Sequence, residues 1–298
     1  MKDLFVLDGS GYIFRAYYGL PPLHDSDGHN VNAVFGFFRM LFRLREQRPG
    51  YFVIARDSPV QTIRKEQFAE YKANRIALPD DIKRQMRKIK ELVEVLNIPF
   101  LLAPGYEADD IIATLITECC VLDAVNTLTI VTSDKDLKQL LRDKVEIFDA
   151  AKDIRINEQG FVNEYGFPPA LIVDYLSLVG DASDNISGVK GIGPKQALLL
   201  VQQRWDLEGI YEHIDEISGA TRQKLIDGKE AAFHSKNLIQ RMRVDAVKKE
   251  QVEERKRDVD FEHMKQVLVQ EYGFHSLEKV IDELKKQIKG GEQLSLFG

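Results

Sequence analysis

Short apolar segments that end in acidic residues recur along the chain, and this pattern constrains the fold more than any other feature. Three such segments are residues 2–7, 51–55 and 127–132. The acids that follow them are Asp8, Asp57, Asp134 and Asp136. Runs of this kind are typical of strands buried in a parallel sheet, and the segments between them have helical spacing. Alternating strands and helices predict a doubly wound, mostly parallel α/β domain with its acids gathered at the carboxyl edge of the sheet.

A further acidic motif, residues 105–110, carries three carboxylates in four positions, namely Glu107, Asp109 and Asp110. An apolar run with helical spacing follows, so a helix should begin here. In that helix Glu107 and Asp110 would share one side of the first turn, with Asp109 beside them. Acids also stabilise the amino terminus of a helix through its dipole, so an ordinary charged helix start is an alternative explanation.

Length and composition exclude several classes of protein. The chain has 298 residues without a long apolar run or a recognisable signal peptide, which favours a soluble cytoplasmic protein with no membrane segment. Its two cysteines, Cys119 and Cys120, are adjacent and poorly placed to pair, which suits a reducing compartment. The formal net charge of -6 argues against indiscriminate binding to polyanions, although it can conceal basic patches.

A basic patch lies at residues 62–90, where nine lysines and arginines outweigh four acids. Phe68 and Tyr71 are interleaved with the cations, and Pro79 interrupts the run. We interpret this segment as two helices with a bend that line a passage for a nucleic-acid strand, with Tyr71, Lys83 and Arg84 among the contacts. Pairing of the cations with the acids on a solvated helix face is the alternative.

Residues 180–195 combine acids with a glycine-rich turn. Asp181 and Asp184 lie one helical turn apart. The residues of interest after them are Gly188, Lys190, Gly191, Gly193 and Lys195. Glycines allow a tight turn with outward N–H groups, and Pro194 suits the first position of a helix, whose start attracts phosphate. Glycines also end helices for structural reasons, but the two lysines favour phosphate binding. The GxxxxGK[ST] spacing of nucleotide hydrolases is absent.

The last part of the chain contains no visible catalytic constellation. Residues 205–289 have helical patterns and mixed charge. After Gly290 and Gly291 comes a short apolar peptide consisting of Gln293, Leu294, Ser295, Leu296 and Phe297. A flexible link followed by such a peptide predicts a docking segment.

Gathered in one place, the acids of these motifs would repel one another strongly without counter-ions. They are Asp8, Asp57, Glu107, Asp109, Asp110, Asp134, Asp136, Asp181 and Asp184. Oxygen ligands select hard cations, Mg²⁺ or Mn²⁺, and the lack of a Cys/His cluster argues against structural zinc. Two such ions can activate a water and stabilise the leaving oxygen in phosphodiester hydrolysis. No Ser/His/Asp or Cys/His arrangement competes as nucleophile, so we expect water to attack.

Six motifs, in order along almost the whole chain, resemble those of the 5′ nuclease (flap endonuclease) family, which includes the N-terminal 5′-3′ exonuclease domain of bacterial DNA polymerase I. They are residues 7–9 with 14–16, 32–37, 71–75, 105–110, 134–137 and 180–193. The resemblance implies a PIN-like 5′ nuclease fold with a mostly parallel twisted sheet. It also implies a nuclease core at residues 1–166 with a helical arch at about 62–96, a helical DNA-binding subdomain at 167–289 with a helix-hairpin at about 183–201, and a tail at 290–298.

The same resemblance implies roles for individual residues. The first metal group would contain Asp8, Asp57, Glu107, Asp109 and Asp110. The second would contain Asp134, Asp136, Asp181 and Asp184, with some ligands acting through water. Lys72 and Arg75 on the arch would contact the scissile phosphate, and Arg15 is a further candidate for phosphate contact. The turn at residues 188–193 resembles a helix-hairpin that grips duplex backbone, often around a K⁺ ion, and residues 293–297 resemble the peptide that binds the bacterial sliding clamp.

We therefore expect a monomeric, divalent-metal-dependent 5′-3′ exonuclease and flap endonuclease, located with the nucleoid in the bacterial cytoplasm. Its substrates would be branched, nicked or flapped DNA with a 5′ end and RNA primers on DNA. One rival is a catalytically weak DNA-binding scaffold docked on the clamp; the complete acid set argues against it, because unneeded buried carboxylates are costly. Another is a phosphohydrolase acting on small molecules; the basic arch and the hairpin argue against it, because only a long substrate needs them.

Overall fold

One sheet of six strands forms the centre of the protein in the computed structural model, which describes residues 2–289 apart from 46, 48, 76, 204 and 253–258. The strands are β1 Lys2–Asp8, β2 Tyr51–Ala55, β3 Phe100–Leu101, β4 Val125–Val131, β5 Val145–Asp149 and β6 Ile154–Ile156. Their order across the sheet is β3-β2-β1-β4-β5-β6. Strands β1 to β5 pair in parallel, and β6 runs antiparallel to β5 at one edge. The predicted α/β class with a mostly parallel sheet is confirmed.

The strand order places a topological switch point between β1 and β4, which are neighbours in the sheet but not in the sequence. Asp8 is the last residue of β1, and Asp57 and Asp134 follow β2 and β4 within three residues. Parallel strands direct their carboxyl ends to one edge, and ligands of open α/β sheets bind at that edge beside the switch point. The strand-end acids therefore share the edge that was predicted for them.

Helices cover both faces of the sheet. The α-helices in the described ranges are α1 Gly9–Gly19, α2 Asn32–Arg45, α3 Ile63–Gln67, α4 Asp80–Val95, α5 Ala108–Cys119, α6 Glu158–Tyr165, α7 Ile172–Val179, α8 Pro194–Gln202, α9 Leu207–Glu212, α10 Gly219–Asp227, α11 Lys229–Ile239, α12 Phe261–Lys265 and α13 His275–Lys289. Short 3₁₀ helices occur at Asp136–Leu140, Pro169–Leu171, Ile214–Glu216 and Lys249–Val252, and a π-helical turn at Gln266–Glu271. None of the described helices has both the length and the apolar content that crossing a membrane requires.

The alternation of side chains along β1 divides the core in two. Phe5 and Leu7 pack in a cluster with α2, α4 and α13, whereas Leu4 and Val6 pack in a second cluster with α5 and α7. A parallel strand that is buried on both faces needs such a continuous apolar run. A third, smaller cluster joins α7 to α11 around Leu178, Val189 and Leu225.

The segment predicted as two helices with a bend contains the short helix α3 and the long helix α4, which begins directly after Pro79. Helix α4 does not stand free. Ile82, Met86 and Ile89 are buried against α2, and the buried Gln85 side chain accepts a hydrogen bond from Ala33 N at 2.7 Å. Only the outer, basic face of α4 is therefore accessible.

The chain after β4 differs from the prediction. Apolar residues at helical spacing predict a packed helix after this strand, and Asp134 and Asp136 would project together if the backbone there were still extended. Instead, Asp136 N donates to Asp134 Oδ1 at 2.8 Å, and a 3₁₀ helix of five residues starts at Asp136. This local hydrogen bond turns the chain at once, because aspartate side chains compete with extended backbone for nearby N–H groups.

The turn at Gly188 requires a glycine for two reasons. Its φ is +64°, and a Cβ built there would lie 2.4 Å from Gly180 N and 2.7 Å from Leu178 O. We predict that Gly188→Ala lowers the free energy of unfolding by about 2 kcal/mol or more, because backbone strain and steric overlap add. Urea unfolding measures the loss. Gly19→Ala is the control, since nothing lies within 4 Å of a Cβ built at that exposed position. Equal stability of the two variants would contradict the close backbone approach at Gly188.

Candidate active site at the carboxyl edge of the sheet

Asp8 is held at the switch point by the first turn of α1 and by the residue that follows β4. Its Oδ1 accepts a hydrogen bond from Gly11 N at 2.8 Å, which caps α1, and its Oδ2 accepts from Thr132 Oγ1 at 3.0 Å. Thr132 Oγ1 also accepts from Asp134 N at 3.0 Å. The end of β1 and the end of β4 are thus joined through one hydroxyl group, and Asp8 and Asp134 lie on either side of it.

Asp57 is placed by the starts of two helices. Its N–H donates to Ser10 Oγ at 2.9 Å, and its Oδ1 accepts from Ala108 N at 2.8 Å. Ser10 belongs to the first turn of α1 and Ala108 begins α5. Because α5 also carries Asp109, this contact brings the acidic motif at residues 105–110 to the strand-end acids.

Burial and neighbouring charges raise the pKa values of Asp8, Asp109 and Asp136 at this edge. Burial raises the pKa of Asp8 to about 7, and the charges of Asp57 and Asp134 add to the effect. Burial, together with Asp134, raises the pKa of Asp136 to about 6. The pKa of Asp109 also lies well above its usual value because of burial, with Asp134 and Asp8 contributing. The structure therefore gathers these five acids, and their negative charge is only partly compensated.

Two cations of the basic segment face the acids. Lys72 Nζ lies 2.6 Å from Glu107 Oε1 and 3.6 Å from Asp184 Oδ2, and Arg75 Nη2 lies 2.7 Å from Asp184 Oδ1. The backbone of Lys72 has a φ of 54°, and its N–H donates to Asp184 O at 3.0 Å. A positive φ is unusual for a residue other than glycine. Backbone strain of this kind is found most often at functional sites, where surrounding contacts hold it in place.

Glu107 and Tyr71 belong to this same arrangement. Burial alone would raise the pKa of Glu107, but Lys72 and Arg64 hold it below its usual value. Tyr71 donates from its hydroxyl to Glu107 Oε2 at 3.0 Å, and its ring is only 2% exposed. This position does not suit the predicted contact of Tyr71 with nucleic acid; here the tyrosine orients the acid instead.

Asp110 has a different environment from its neighbour Asp109. Arg64 Nη1 and Nη2 donate to its two oxygens at 2.7 and 2.8 Å, Met242 N donates to Oδ1 at 2.8 Å, and Glu107 N donates to Oδ2 at 3.2 Å. These four bonds use the acceptor capacity of the carboxylate, which is fully buried. As placed, Asp110 caps α5 and pairs with Arg64, which does not suit its predicted role as a metal ligand.

Asp181 and Asp184 lie in a tight turn after α7, where Asp181 and Ile186 form a β-bridge rather than the helical turn suggested by their spacing. Asp181 Oδ1 accepts from Ser183 N at 2.9 Å and Oγ at 2.6 Å, and Lys135 Nζ lies 3.1 Å from Asp181 Oδ2. Despite burial, these partners hold the pKa of Asp181 below its usual value. Asp184 forms ion pairs with Lys72 and Arg75, and Lys72 links it to Glu107.

The donor set fits a hard divalent cation, since it consists of carboxylates. As the side chains lie, no three His, Cys, Asp or Glu side chains in the described ranges converge to hold an ion. Asp136 Oδ1 is buried and has no hydrogen-bond partner among the described residues. A buried carboxylate oxygen without a partner is unfavourable unless a cation binds it, so the residues present fit a metal ion.

Two buried arginines were not singled out by the sequence analysis. In the sequence, Arg64 is one of nine cations in the basic patch, and Arg241 lies in a segment of mixed charge that contains no recognised motif. Arg241 Nη2 lies 3.2 Å from Asp109 Oδ2 and 3.7 Å from Asp136 Oδ2. The only local signal is a pair of arginines, Arg241 and Arg243, just after α11, and nothing in the sequence distinguishes the buried one from the exposed one.

Three other predicted contacts pair with groups other than the candidate metal ligands. Arg15 is exposed on α1, with Nη1 at 4.0 Å from Asp149 Oδ1 at the end of β5. Lys83 and Arg84 lie on α4. Lys83 Nζ is 2.9 Å from Asp80 Oδ1, as expected for a solvated helix face, and Arg84 Nη2 donates to Asn30 O at 3.3 Å.

The glycine-rich turn leads into α8, with Pro194 as the first helical residue as predicted. Gly188 and Gly191 both have positive φ, at 64° and 83°. Lys190 and Lys195 are exposed and form no ion pair within the described ranges, so both remain available to an anion. The predicted docking peptide, Gln293 to Phe297, lies outside the described residues.

The raised pKa of Asp8 leads to a prediction about stability and pH. Because the folded protein binds this proton more tightly than the unfolded chain, the stabilisation it provides is lost as pH rises from about 4 towards 7. Asp8→Asn keeps an acceptor for Gly11 and stays neutral. Without metal ions it should be more stable than the native chain at pH 8 by at least about 1 kcal/mol. Urea unfolding from pH 5 to 8 should show this difference increasing with pH; a constant difference would contradict the burial of an ionisable Asp8.

The buried pair of Arg64 and Asp110 leads to another prediction. Arg64→Met would leave the Asp110 carboxylate buried without its cation, so the free energy of unfolding should fall by about 3 kcal/mol or more. Arg75→Met is the control, because the Arg75 side chain is 54% exposed; it should cost less than about 1 kcal/mol. Chemical denaturation of both variants at pH 7 measures the difference. Similar losses would show that burial does not distinguish the two pairs.

Comparison with protein families gives two matches that together cover most of the chain. The family described as 5′-3′ exonuclease, N-terminal resolvase-like domain, matches residues 3–166. The family described as 5′-3′ exonuclease, C-terminal SAM fold, matches residues 167–260.

Individual relatives agree with these matches. The chain is 34% identical over 298 residues to a 5′-3′ exonuclease of Aquifex aeolicus, with all of both chains covered. It is 41% identical over 239 residues to DNA polymerase I of Deinococcus radiodurans, with 79% of this chain covered but only 25% of that polymerase.

Solved structures agree in fold. T5 5′-exonuclease with bound zinc superimposes with a TM-score of 0.65 at 20% identity, covering 97% of this chain and 98% of that one. The catalytic core of Rad2 in complex with DNA substrate gives a TM-score of 0.63 at 16% identity, covering 94% and 92%. From the two family matches and the full-length relative, we conclude that the chain belongs to the 5′-3′ exonuclease family.

Proposed function

We propose that this chain is a structure-specific nuclease, a 5′-3′ exonuclease and 5′ flap endonuclease that acts on DNA and on RNA primers paired with DNA. The observation that carries the proposal is the pairing of Lys72 and Arg75 with Glu107 and Asp184. This pairing places two cations that can bind phosphate beside the candidate metal ligands. The relatives named 5′-3′ exonuclease and DNA polymerase I support the same activity.

The cofactors that suit this site are two divalent ions, Mg²⁺ or Mn²⁺. One would be held by Asp8, Asp57, Glu107 and Asp109, and the other by Asp134, Asp136, Asp181 and Asp184, partly through water. When bound, the ions would polarise the phosphodiester and favour its attack by water. T5 D15 protein, which has a similar fold, was co-crystallised with metal ions, and this supports a metal-dependent site. Asp110 supports the site through Arg64 rather than as a ligand.

The protein's own cations bind and orient the scissile phosphate. Lys72 Nζ and the Arg75 guanidinium are directed at carboxylate oxygens, and phosphate oxygens can take the place of these acceptors. Both cations are already held near the reaction site, Lys72 through its backbone bond to Asp184 O. Charge that develops on the phosphate therefore meets donors that need little reorganisation.

The glycine-rich turn supplies a second contact with the duplex. Lys190 and Lys195 flank N–H groups at the start of α8, where the helix dipole also favours a phosphate.

The predicted K⁺ ion would bind carbonyl groups of this turn. Lys224 Nζ already donates to Gly191 O at 3.0 Å, so a K⁺ ion would share or replace that contact.

Other parts of the proposal rest on sequence alone. Residues 293–297 would dock on the bacterial sliding clamp, because this short apolar peptide resembles a clamp-binding peptide and follows a glycine pair in the sequence. The adjacent cysteines suit the reducing cytoplasm of a bacterium, where the chain would act on nucleoid DNA as a monomer.

Cleavage of a 5′-labelled flap duplex tests the function. The substrate and a matched linear single strand are incubated with the native chain, with Mg²⁺ or with a chelator. We expect cutting at the flap junction that requires Mg²⁺, and a loss in Asp134→Ala of the order of 10²-fold or more. Glu164→Ala, which removes an acid that is 55% exposed and pairs with Lys138 rather than with a cation of the site, should cut normally.

The outcomes separate the proposal from its rival. A flap that is bound in a salt-sensitive manner but not cut with Mg²⁺ or Mn²⁺ would favour a DNA-binding scaffold. Normal turnover by Asp134→Ala would exclude Asp134 from the site and remove the case for a second metal group.

A further inference from the structure

A guanidinium group lies buried among the candidate metal ligands. The Arg241 side chain is only 4% exposed, and Nη2 lies 3.2 Å from Asp109 Oδ2 and 3.7 Å from Asp136 Oδ2. Nη1 lies 4.0 Å from Glu107 Oε2. Arg241 thus contacts acids of both proposed metal groups and lies between them.

The backbone on either side of Arg241 is anchored to the nuclease core. Arg64 Nη2 donates to Gln240 O at 2.8 Å, and Met242 N donates to Asp110 Oδ1 at 2.8 Å. Val244 N donates to Thr114 Oγ1 at 3.0 Å. The first bond attaches the segment after α11 to α3, and the other two attach it along α5, the helix that carries Asp109. The backbone is therefore fixed on both sides of Arg241.

Charge, rather than a complete set of hydrogen bonds, holds the side chain. Arg241 Nε is buried without a hydrogen-bond partner among the described residues. A guanidinium keeps its proton at any physiological pH, so its positive charge is permanent. A permanent cation beside Asp109 and Asp136 stabilises them as anions, but it also repels any second cation that binds the same oxygens.

We propose that Arg241 is a resident counter-ion that keeps the two acid groups together in the metal-free protein and weakens their affinity for divalent ions. The proposal rests on the proposed function, because it assumes that these acids bind divalent ions. It predicts opposite effects of neutralising Arg241 on two properties: the metal-free protein loses stability, and the folded protein binds metal more tightly.

Binding of Mn²⁺ alone, without DNA, tests the proposal. The chain with Arg241→Met is titrated with Mn²⁺, and free Mn²⁺ is measured by electron paramagnetic resonance. We expect Mn²⁺ to bind at least about tenfold more tightly than to the native chain. Arg243→Met is the matched control: it lies two positions later, is 60% exposed and pairs with Glu118 at 2.7 Å. Its affinity for Mn²⁺ should not change.

Thermal unfolding supplies an independent readout. Without metal, Arg241→Met should melt below the native chain, and Mn²⁺ should raise its melting temperature by more than it raises that of the native chain. If Arg241→Met does not fold without metal, Arg241→Gln provides a neutral side chain that still donates hydrogen bonds to carboxylates. It should show the same tighter binding of Mn²⁺.

Unchanged or weaker binding of Mn²⁺ by the folded neutral variants would overturn the proposal, since Arg241 would then position the acids for the ion instead of opposing it. Arg241→Lys should bind Mn²⁺ with the same affinity as the native chain, because it keeps the positive charge that opposes the metal ion. These measurements do not use cleavage. Tighter Mn²⁺ binding with no cutting of a flap would therefore reject the proposed function alone, and flap cutting with unchanged Mn²⁺ binding would reject the counter-ion alone.

Discussion

Repulsion among carboxylates at one edge of the sheet is the constraint on which the rest of this structure depends. Parallel strands deliver Asp8, Asp57 and Asp134 to the same edge, and the start of α5 adds Asp109. Buried or partly buried cations pair with Asp109 and with the neighbouring acids Glu107, Asp110 and Asp184, and so offset part of the negative charge around this edge. These come from separate parts of the chain: Arg64, Lys72 and Arg75 from the basic segment and Arg241 from the segment after α11. The basic segment and the segment after α11 are therefore needed to hold the edge together, whatever their contacts with a substrate.

Local patterns in the sequence were sufficient for the features that depend on local physics. The runs that form β1, β2 and β4 were recognised from continuous apolar character, and the position of Asp8 followed from strand direction. Pro194 began a helix because its fixed φ suits that position. The features that could not be predicted depend on contacts between distant residues. Arg64 and Asp110 are 46 positions apart, and Arg241 contacts Asp109 from 132 positions away. Likewise, nothing in the charge pattern of α4 showed that its other face would pack on α2.

Neighbouring acids of one motif have different roles for a geometric reason. Successive residues in a helix point about 100° apart, so Asp109 and Asp110 project to different sides of α5. Asp109 faces the strand ends, where its pKa is raised by burial and by other acids. Asp110 faces Arg64 and the backbone of Met242, where its oxygens are fully hydrogen-bonded. A motif of three acids in four positions therefore contains both a candidate ligand and a structural anchor, and residue type alone does not distinguish them.

The anchored segment 240–244 also bears on how a chain of this kind can be divided. The two family matches meet between residues 166 and 167, but the candidate site does not respect that boundary. A fragment ending there would keep Lys72, Arg75 and Asp110 yet lose Asp184, Met242 and Arg241, which contact them or their neighbours. We expect that a chimera exchanging the C-terminal unit between relatives must carry a matching segment 240–244 to preserve the site. The boundary at residues 166 and 167 separates two family matches in the sequence, whereas the candidate site contains residues from both sides of it.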